Sequence, residues 1–133
     1  MPKARIVLDT NVFVAAGFNS ESASARIIRN VRTGDLELIW NEETRRETRA
    51  VLEQIPPLSW TSFSGLFREG GRYRGKTEPE KIGYVPDPAD RKFAALARAT
   101  ESALVTNDDD LLANRDRADI YIVTPTEFLE RRR

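Results

Sequence analysis

Apolar residues fall along the chain in two patterns, short unbroken runs and runs at helical spacing, and the two alternate. Ala4 to Leu8 is nearly continuous apolar sequence, as expected of a strand buried on both faces of a parallel sheet. It stops at three polar residues, Asp9-Thr10-Asn11, and Val12 to Ala16 then reads as a short helix ending near Gly17. Ser22 to Arg32 places Ala23, Ile27, Ile28 and Val31 on one helical face, and Gly34 supplies the stop. Leu36 to Trp40 predicts a second strand. Asn41 caps a third helix, which runs to about Gln54 before Pro56-Pro57 ends it.

Ser59 to Phe67 predicts a short helix with Trp60, Phe63 and Phe67 on one side, either core or a face for a partner; Gly70-Gly71 breaks it. Arg68 to Lys81 reads as a polar loop and Ile82 to Val85 as a brief extended piece. Asp87-Pro88 starts a helix packed through Phe93, Leu96 and Ala97. Ala103 to Thr106 is a third strand, and Asn107 to Asp110 lead into a short helix with Leu111 and Leu112. Ile120 to Val123 is a fourth strand. Thr124-Pro125-Thr126-Glu127 has capping-box spacing for a last helix carrying Phe128 and Leu129. Arg131, Arg132 and Arg133 read as a solvated tail. Strands alternating with helices predict an α/β fold, a parallel sheet with helices on both faces.

Composition narrows the chemistry. The 133 residues suit one compact domain over 1–133, with 21 Lys+Arg balanced by 21 Asp+Glu. That balance excludes binding to nucleic acid by bulk positive charge and leaves room for a local basic face. Neither cysteine nor histidine occurs. Thiol nucleophiles, serine–histidine triads and histidine-held metals are therefore excluded. Polar catalysis must use carboxylates, lysine, hydroxyls or a metal held by oxygen. No apolar run reaches the length of a membrane span, and Met1-Pro2-Lys3 leads straight into Ile6-Val7-Leu8 without signal-peptide layout. The expectation is a cytoplasmic protein with no membrane contact.

In parallel sheets, sites form beyond the carboxyl ends of the strands. Asp9 ends the first strand and Asp108 lies two residues past Thr106 at the end of the third. If these strands are neighbours, the two carboxylates meet. Asp90 lies in the first turn of its helix, on the side that bears Phe93 and Ala97. Glu47 flanks the inner face of the third helix, marked by Thr44, Thr48, Val51 and Ile55. Glu42, Arg46, Arg49 and Glu53 follow the outer face as solvated charge pairs. Each acid also has a plain reading: a turn residue for Asp9, a helix-dipole partner for Asp90, a cap for Asp108, one more surface charge for Glu47.

Together these segments resemble a known family. Asp9-Thr10-Asn11-Val12 after the first strand is similar to the opening of the PIN-domain nucleases, and Glu47 matches their second acid. Asp87-Pro88-Ala89-Asp90-Arg91-Lys92-Phe93, followed by Ala94, Leu96 and Ala97, resembles their third motif. Ala103-Leu104-Val105-Thr106-Asn107-Asp108, followed by Asp110-Leu111-Leu112, resembles the fourth, and Thr124 to Leu129 resembles the family's usual end. The similarity runs over essentially the whole chain, nearest to the PIN-type toxins of prokaryotic toxin–antitoxin systems. Asn107 stands where that branch often has Gly, Trp40-Asn41 replaces a small hydroxyl residue, and 59–84 carries no alignable motif.

The resemblance implies a three-layer α/β/α sandwich, a Mg²⁺- or Mn²⁺-dependent ribonuclease, a protein antitoxin and a homodimer. Asp9, Asp90 and Asp108 would hold the ion through hard oxygen ligands, with Glu47 completing the cluster or orienting water. Thr10, Asn11 and Thr106 would hold the carboxylates in place, and Asp110 would assist from outside. Arg45, Arg46, Arg49, Arg68, Arg72, Arg74 and Lys76, with Tyr73 among them, are candidates to face RNA, or else ordinary surface charges. Two other readings stand beside this one. A phosphotransfer enzyme built on Asp9 is disfavoured by Asn11, where a second Asp is wanted. A catalytically inactive PIN-like module that only binds RNA or protein need not respond to Mn²⁺.

Overall fold

The computed structural model describes residues 3–132. Four parallel strands, β1 (Ala4–Leu8), β2 (Leu36–Leu38), β3 (Ala103–Val105) and β4 (Ile122–Val123), lie in the order β2-β1-β3-β4. Six helices accompany them: α1 (Thr10–Phe18), α2 (Ala23–Thr33), α3 (Glu42–Glu53), α4 (Lys92–Thr100), α5 (Asp109–Ala113) and α6 (Pro125–Arg131). Alternate residues of the strands enter opposite layers, because the side-chain period of a strand is two. Ile6 and Leu8 of β1, Val105 and Val123 pack with Val12, Phe13, Ile27, Val31, Leu52 and Phe128. Val7, Leu104 and Ile122 face the other way, onto Phe93 to Ala97 of α4 and Leu111 of α5. The result is the expected α/β/α sandwich. Each fully buried aliphatic side chain contributes roughly 1.5–3 kcal/mol by leaving water.

The order of connection positions the site. From β1 the chain passes through α1 and α2 to β2 on one side, then crosses back to β3 on the other side of β1. The strand order thus reverses between β1 and β3, where a crevice opens at the carboxyl ends. Leu8 and Val105 are in register, and the Asp9 amide donates to the Val105 carbonyl at 3.0 Å. Asp9 and Thr106, the next residues on each strand, therefore emerge side by side.

Local signals account for most helix ends. Ser22 and Asn41 cap α2 and α3 through side-chain oxygens, and Thr124 with Glu127 forms a reciprocal capping box on α6. Gly34 ends α2 at φ 92°, a left-handed conformation that suits glycine.

Several expectations are corrected. α1 begins at Thr10, because Asp9 itself is its cap. Strand β2 stops at Leu38, and Trp40 instead bridges Arg72; its Nε1 donates to the Arg68 carbonyl at 2.7 Å. Gly71 sits so close to this crossing that a Cβ there would collide with the Leu38 carbonyl oxygen. The expected helix over 59–67 is two 3-10 turns, Trp60–Ser62 and Ser64–Leu66. Its rings decide its path: Phe67 stacks on Phe13 at 5.6 Å and meets Trp40 and Trp60, so these aromatics are core.

Turns replace the extended piece at 82–85, although Ile82, Tyr84 and Val85 are buried. Asp87 and Pro88 open a separate 3-10 turn, Pro88–Asp90, rather than α4. Asp87 accepts from the Ala89 amide at 3.0 Å and Arg91 Nε donates to the Val85 carbonyl at 2.7 Å, which holds this segment off the helix axis. The inner face of α3 is Thr44, Thr48 and Leu52. Arg131 ends α6 and lies over the Tyr121 ring, and Arg132 lies over Phe128, so neither belongs to a free tail; Arg133 lies outside the described residues.

Candidate active site

Asp9, Thr10, Glu47, Ala89, Asp90, Phe93, Asp108 and Leu111 line one small cleft of about 60 Å³ at the β1–β3 edge. Its four acids come from four separate segments: the end of β1, the middle of α3, the Pro88–Asp90 turn and the start of α5. Larger hollows lie elsewhere. One of about 630 Å³ opens beside Arg98, Asp119 and Tyr121, where the acids of interest are absent.

Asp9 is fixed at both oxygens. Oδ1 accepts from the Thr10 amide at 2.8 Å and Oδ2 from the Thr106 hydroxyl at 2.8 Å. Thr106 Oγ1 in turn accepts from the Asp108 amide at 2.9 Å, so a single threonine ties the two acids. Burial pushes the Asp9 carboxyl from the usual 3.8 up to about 6. The two hydrogen bonds oppose that shift, while Asp108 and Asp90 add to it. Among the described residues Asp9 makes no ion pair. A shift of this size corresponds to ~3 kcal/mol of penalty on the ionised form.

Asp108 caps α5, accepting at Oδ1 from the Asp110 and Leu111 amides at 2.8 and 3.3 Å. Asp90 is also shifted upward, by lost hydration first and then by Asp87 and Asp108; Lys92 opposes this. Glu47 accepts at Oε1 from Lys92 Nζ at 3.0 Å. As these side chains are oriented, no three of them stand together as a metal-holding group among the described residues. In this arrangement Asp9, Glu47 and Asp108 each accept from a protein donor.

The supporting residues divide. The Thr10 hydroxyl shares a buried hydrogen bond with Thr48 at 3.0 Å, linking α1 to α3 beneath the cleft. Asn11 Oδ1 accepts from the Asn107 amide at 3.1 Å and Asn107 Nδ2 donates to Ser24 at 3.3 Å, which pins the loop before Asp108 to α1 and α2. Asp110 is exposed and touches the site through its backbone. Sequence reasoning places Thr48 on an inner helix face without a polar role, and gives none to Ser24 or Lys92. For Lys92 the one available signal is its position two residues after Asp90.

The basic candidates are largely engaged. Arg45 and Arg72 flank Trp40 at 5.5 and 5.3 Å and share Glu42. Arg49 pairs with Glu53, and Arg74 with Glu69. Arg68 donates to the Val31 and Arg32 carbonyls, and the Tyr73 hydroxyl to the Lys76 carbonyl. Arg46 and Lys76 are exposed and make no ion pair among the described residues.

The fold and the cleft define a three-layer α/β/α protein with an acid-lined crevice at its topological switch point. A family model described as PIN domain matches residues 5–110, and the chain belongs to the PIN-domain family. No curated protein sequence matches it. Solved structures give the same fold. FitAB bound to the IR36 DNA fragment is 18% identical with a TM-score of 0.59, covering 90% of this chain and 94% of that one. FitAcB from Neisseria gonorrhoeae is 17% identical, with a TM-score of 0.56 and coverage of 91% and 98%. PAE2754 from Pyrobaculum aerophilum is 16% identical, with a TM-score of 0.53 and coverage of 98% and 97%.

Proposed function

We propose that this chain is a divalent-metal-dependent endoribonuclease that hydrolyses RNA phosphodiester bonds at the acid cleft. One observation carries the reading. Four carboxylates from four segments line a single crevice, and burial pushes the Asp9 carboxyl, which makes no ion pair among the described residues, up to about 6. The donor set is hard oxygen throughout, which fits Mg²⁺ or Mn²⁺. Bound there, the ion would neutralise phosphoryl charge and acidify water for attack.

The chain's own residues have distinct tasks in this reading. Asp9, Asp90 and Asp108 would hold the ion. Thr106 and the Thr10 amide fix the Asp9 carboxylate, so its geometry is set before any ligand arrives. Glu47, held by Lys92 at Oε1 in this structure, would complete the cluster as the ion's fourth carboxylate. Asn11 holds the Asp108 loop, and Asp110 gives its amide to Asp108. Arg46 and Lys76, exposed and without acidic partners among the described residues, meet the RNA backbone; Arg45, Arg49, Arg72 and Arg74 serve as a pre-paired rim.

The toxin reading goes one step further and rests on the sequence's likeness to PIN-type toxins. It gives the chain a protein antitoxin and a homodimeric state, acting in the cytoplasm as one domain over 1–133. No helix among the described residues is long and apolar enough to cross a membrane.

A cleavage assay on total cellular RNA in Mn²⁺, with EDTA and Asp9→Asn as controls, tests the proposal. Metal-dependent cutting that the substitution abolishes is the expected result. Equal cutting by wild type and variant would overturn it. An Mn²⁺-induced melting shift without cutting would mean a formed metal site whose substrate is narrow or missing from the pool; neither shift nor cutting would favour the inactive binding module.

A further inference from the structure

Lys92 is placed unlike the other paired cations of the molecule. Its ammonium donates to Glu47 Oε1 at 3.0 Å and to the Ala89 carbonyl at 3.1 Å. Glu47 and Ala89 both line the cleft, on segments remote in sequence. The Lys92 side chain is only 18% exposed, while Glu47 is 41% exposed. Arg45, Arg49 and Arg98 pair with Glu42, Glu53, Glu78 and Asp119, none of which lines the cleft. Lys92 is also the cation that opposes the upward shift of Asp90, against Asp87, Asp108 and Glu47. One ammonium therefore serves two of the four acids.

In this arrangement the acids do not form a metal-holding group among the described residues. Glu47 is turned to the lysine. A divalent ion taken up by the whole cluster needs that carboxylate, and two cations competing for one carboxylate repel. Lysine suits such a place. Its charge is compact, and its four-carbon stem lets it leave without moving the backbone, whereas a forked guanidinium would hold on.

We propose that Lys92 is the cleft's resident counter-cation, exchanged for the divalent ion when Glu47 turns to the metal. Lys92 is a positioning residue that acts through Glu47. It steadies the acid cluster while no metal is bound and weakens metal binding, so that occupancy follows the free divalent concentration. The inference rests on the metal-dependent reading above.

Calorimetric titration with Mn²⁺ alone compares wild type, Lys92→Met and Lys92→Arg. Lys92→Met is expected to bind Mn²⁺ about tenfold tighter or more, and Lys92→Arg no tighter than wild type. A residue that merely braces Glu47 would give the opposite sign, since its removal would loosen the site. Unchanged or weaker binding by Lys92→Met overturns the exchange.

The wild-type protein gives a second measure that needs no variant. Amine acetylation is mapped by peptide mass with and without Mn²⁺. Labelling of Lys92 should rise severalfold on metal addition, with Lys3, Lys76 and Lys81 unchanged. Lys92 labelling that stays level or falls overturns the proposal. If wild type itself takes up no Mn²⁺, both the metal-dependent function and the exchange fall; if it binds and Lys92→Met binds no tighter, only the exchange falls.

Discussion

Asp9 and Glu127 occupy similar places and behave in opposite ways. Each follows a parallel strand, Asp9 after β1 and Glu127 shortly after β4, and each takes part in capping a helix. Glu127 accepts from Arg115 at 2.8 Å and from the Thr124 amide at 2.9 Å, and Arg115 chiefly holds its carboxyl down at about 2. Asp9 has two neutral donors and acidic neighbours, and burial carries it up to about 6. The helix end is common to both, so it does not decide the outcome. Burial and the acidic neighbours of Asp9, against the cation paired with Glu127, do. In the proposed reading, a buried carboxylate held by neutral donors and crowded by other acids is where a bound cation would stabilise the fold.

The largest break in this comparison is Asp9→Asn. It keeps the shape but removes the charge, and RNA cleavage should fall at least ~100-fold, a drop on the scale of removing one transition-state interaction. Rate measurements under single-turnover conditions in Mn²⁺ check this.

The pH response sharpens the contrast. Asp9 has a higher pKa folded than unfolded, so its stabilising contribution is full below the unfolded value of 3.8 and is lost as pH rises through about 6. Without metal this leaves the native state poorer by ~3 kcal/mol at neutral pH. Melting curves of wild type and Asp9→Asn in EDTA should therefore draw apart as pH rises between these two values, with the variant melting higher. Parallel curves would contradict the assignment. Glu127 has the reverse sign: its contribution is present above 4.5 and is lost as pH falls through about 2.

Smaller effects follow from structural partners. Glu127→Ala removes half of the capping box and the Arg115 pair, which should cost ~1–2 kcal/mol in denaturant unfolding and leave cleavage unchanged. Thr48→Val strands the Thr10 hydroxyl below the cleft, at ~1 kcal/mol. Charge reversal of Arg46 and Lys76 should lower RNA affinity modestly and reduce its salt slope by about one for each phosphate no longer neutralised.

Much of this was legible in the residues. Unbroken apolar runs mark the strands, and cap chemistry at Ser22, Gly34, Asn41 and Thr124–Glu127 marks the helix ends. Strand ends locate Asp9 and Asp108, and the structure supplies the adjacency and register of β1 and β3 that bring them together. The rest depends on partners distant in sequence. Trp40 leaves its strand to meet Arg72, a pairing that no local period encodes. The rings of Trp60 and Phe67 pack on Phe13 and Trp40 rather than along one helix. Asp90 sits on a tight turn held by Asp87 and Arg91, so helical spacing misplaces it while the cleft still receives it. The pairing of Lys92 is not encoded locally, because its partner lies 45 residues away.

The most direct test of the central claim is thermal melting of wild type and Asp9→Asn with and without Mn²⁺ at neutral pH. The account predicts that wild type melts lower than the variant in EDTA and rises on adding Mn²⁺, while Asp9→Asn responds little. An equal Mn²⁺ shift in both proteins, or none in wild type, would contradict a metal site built around Asp9.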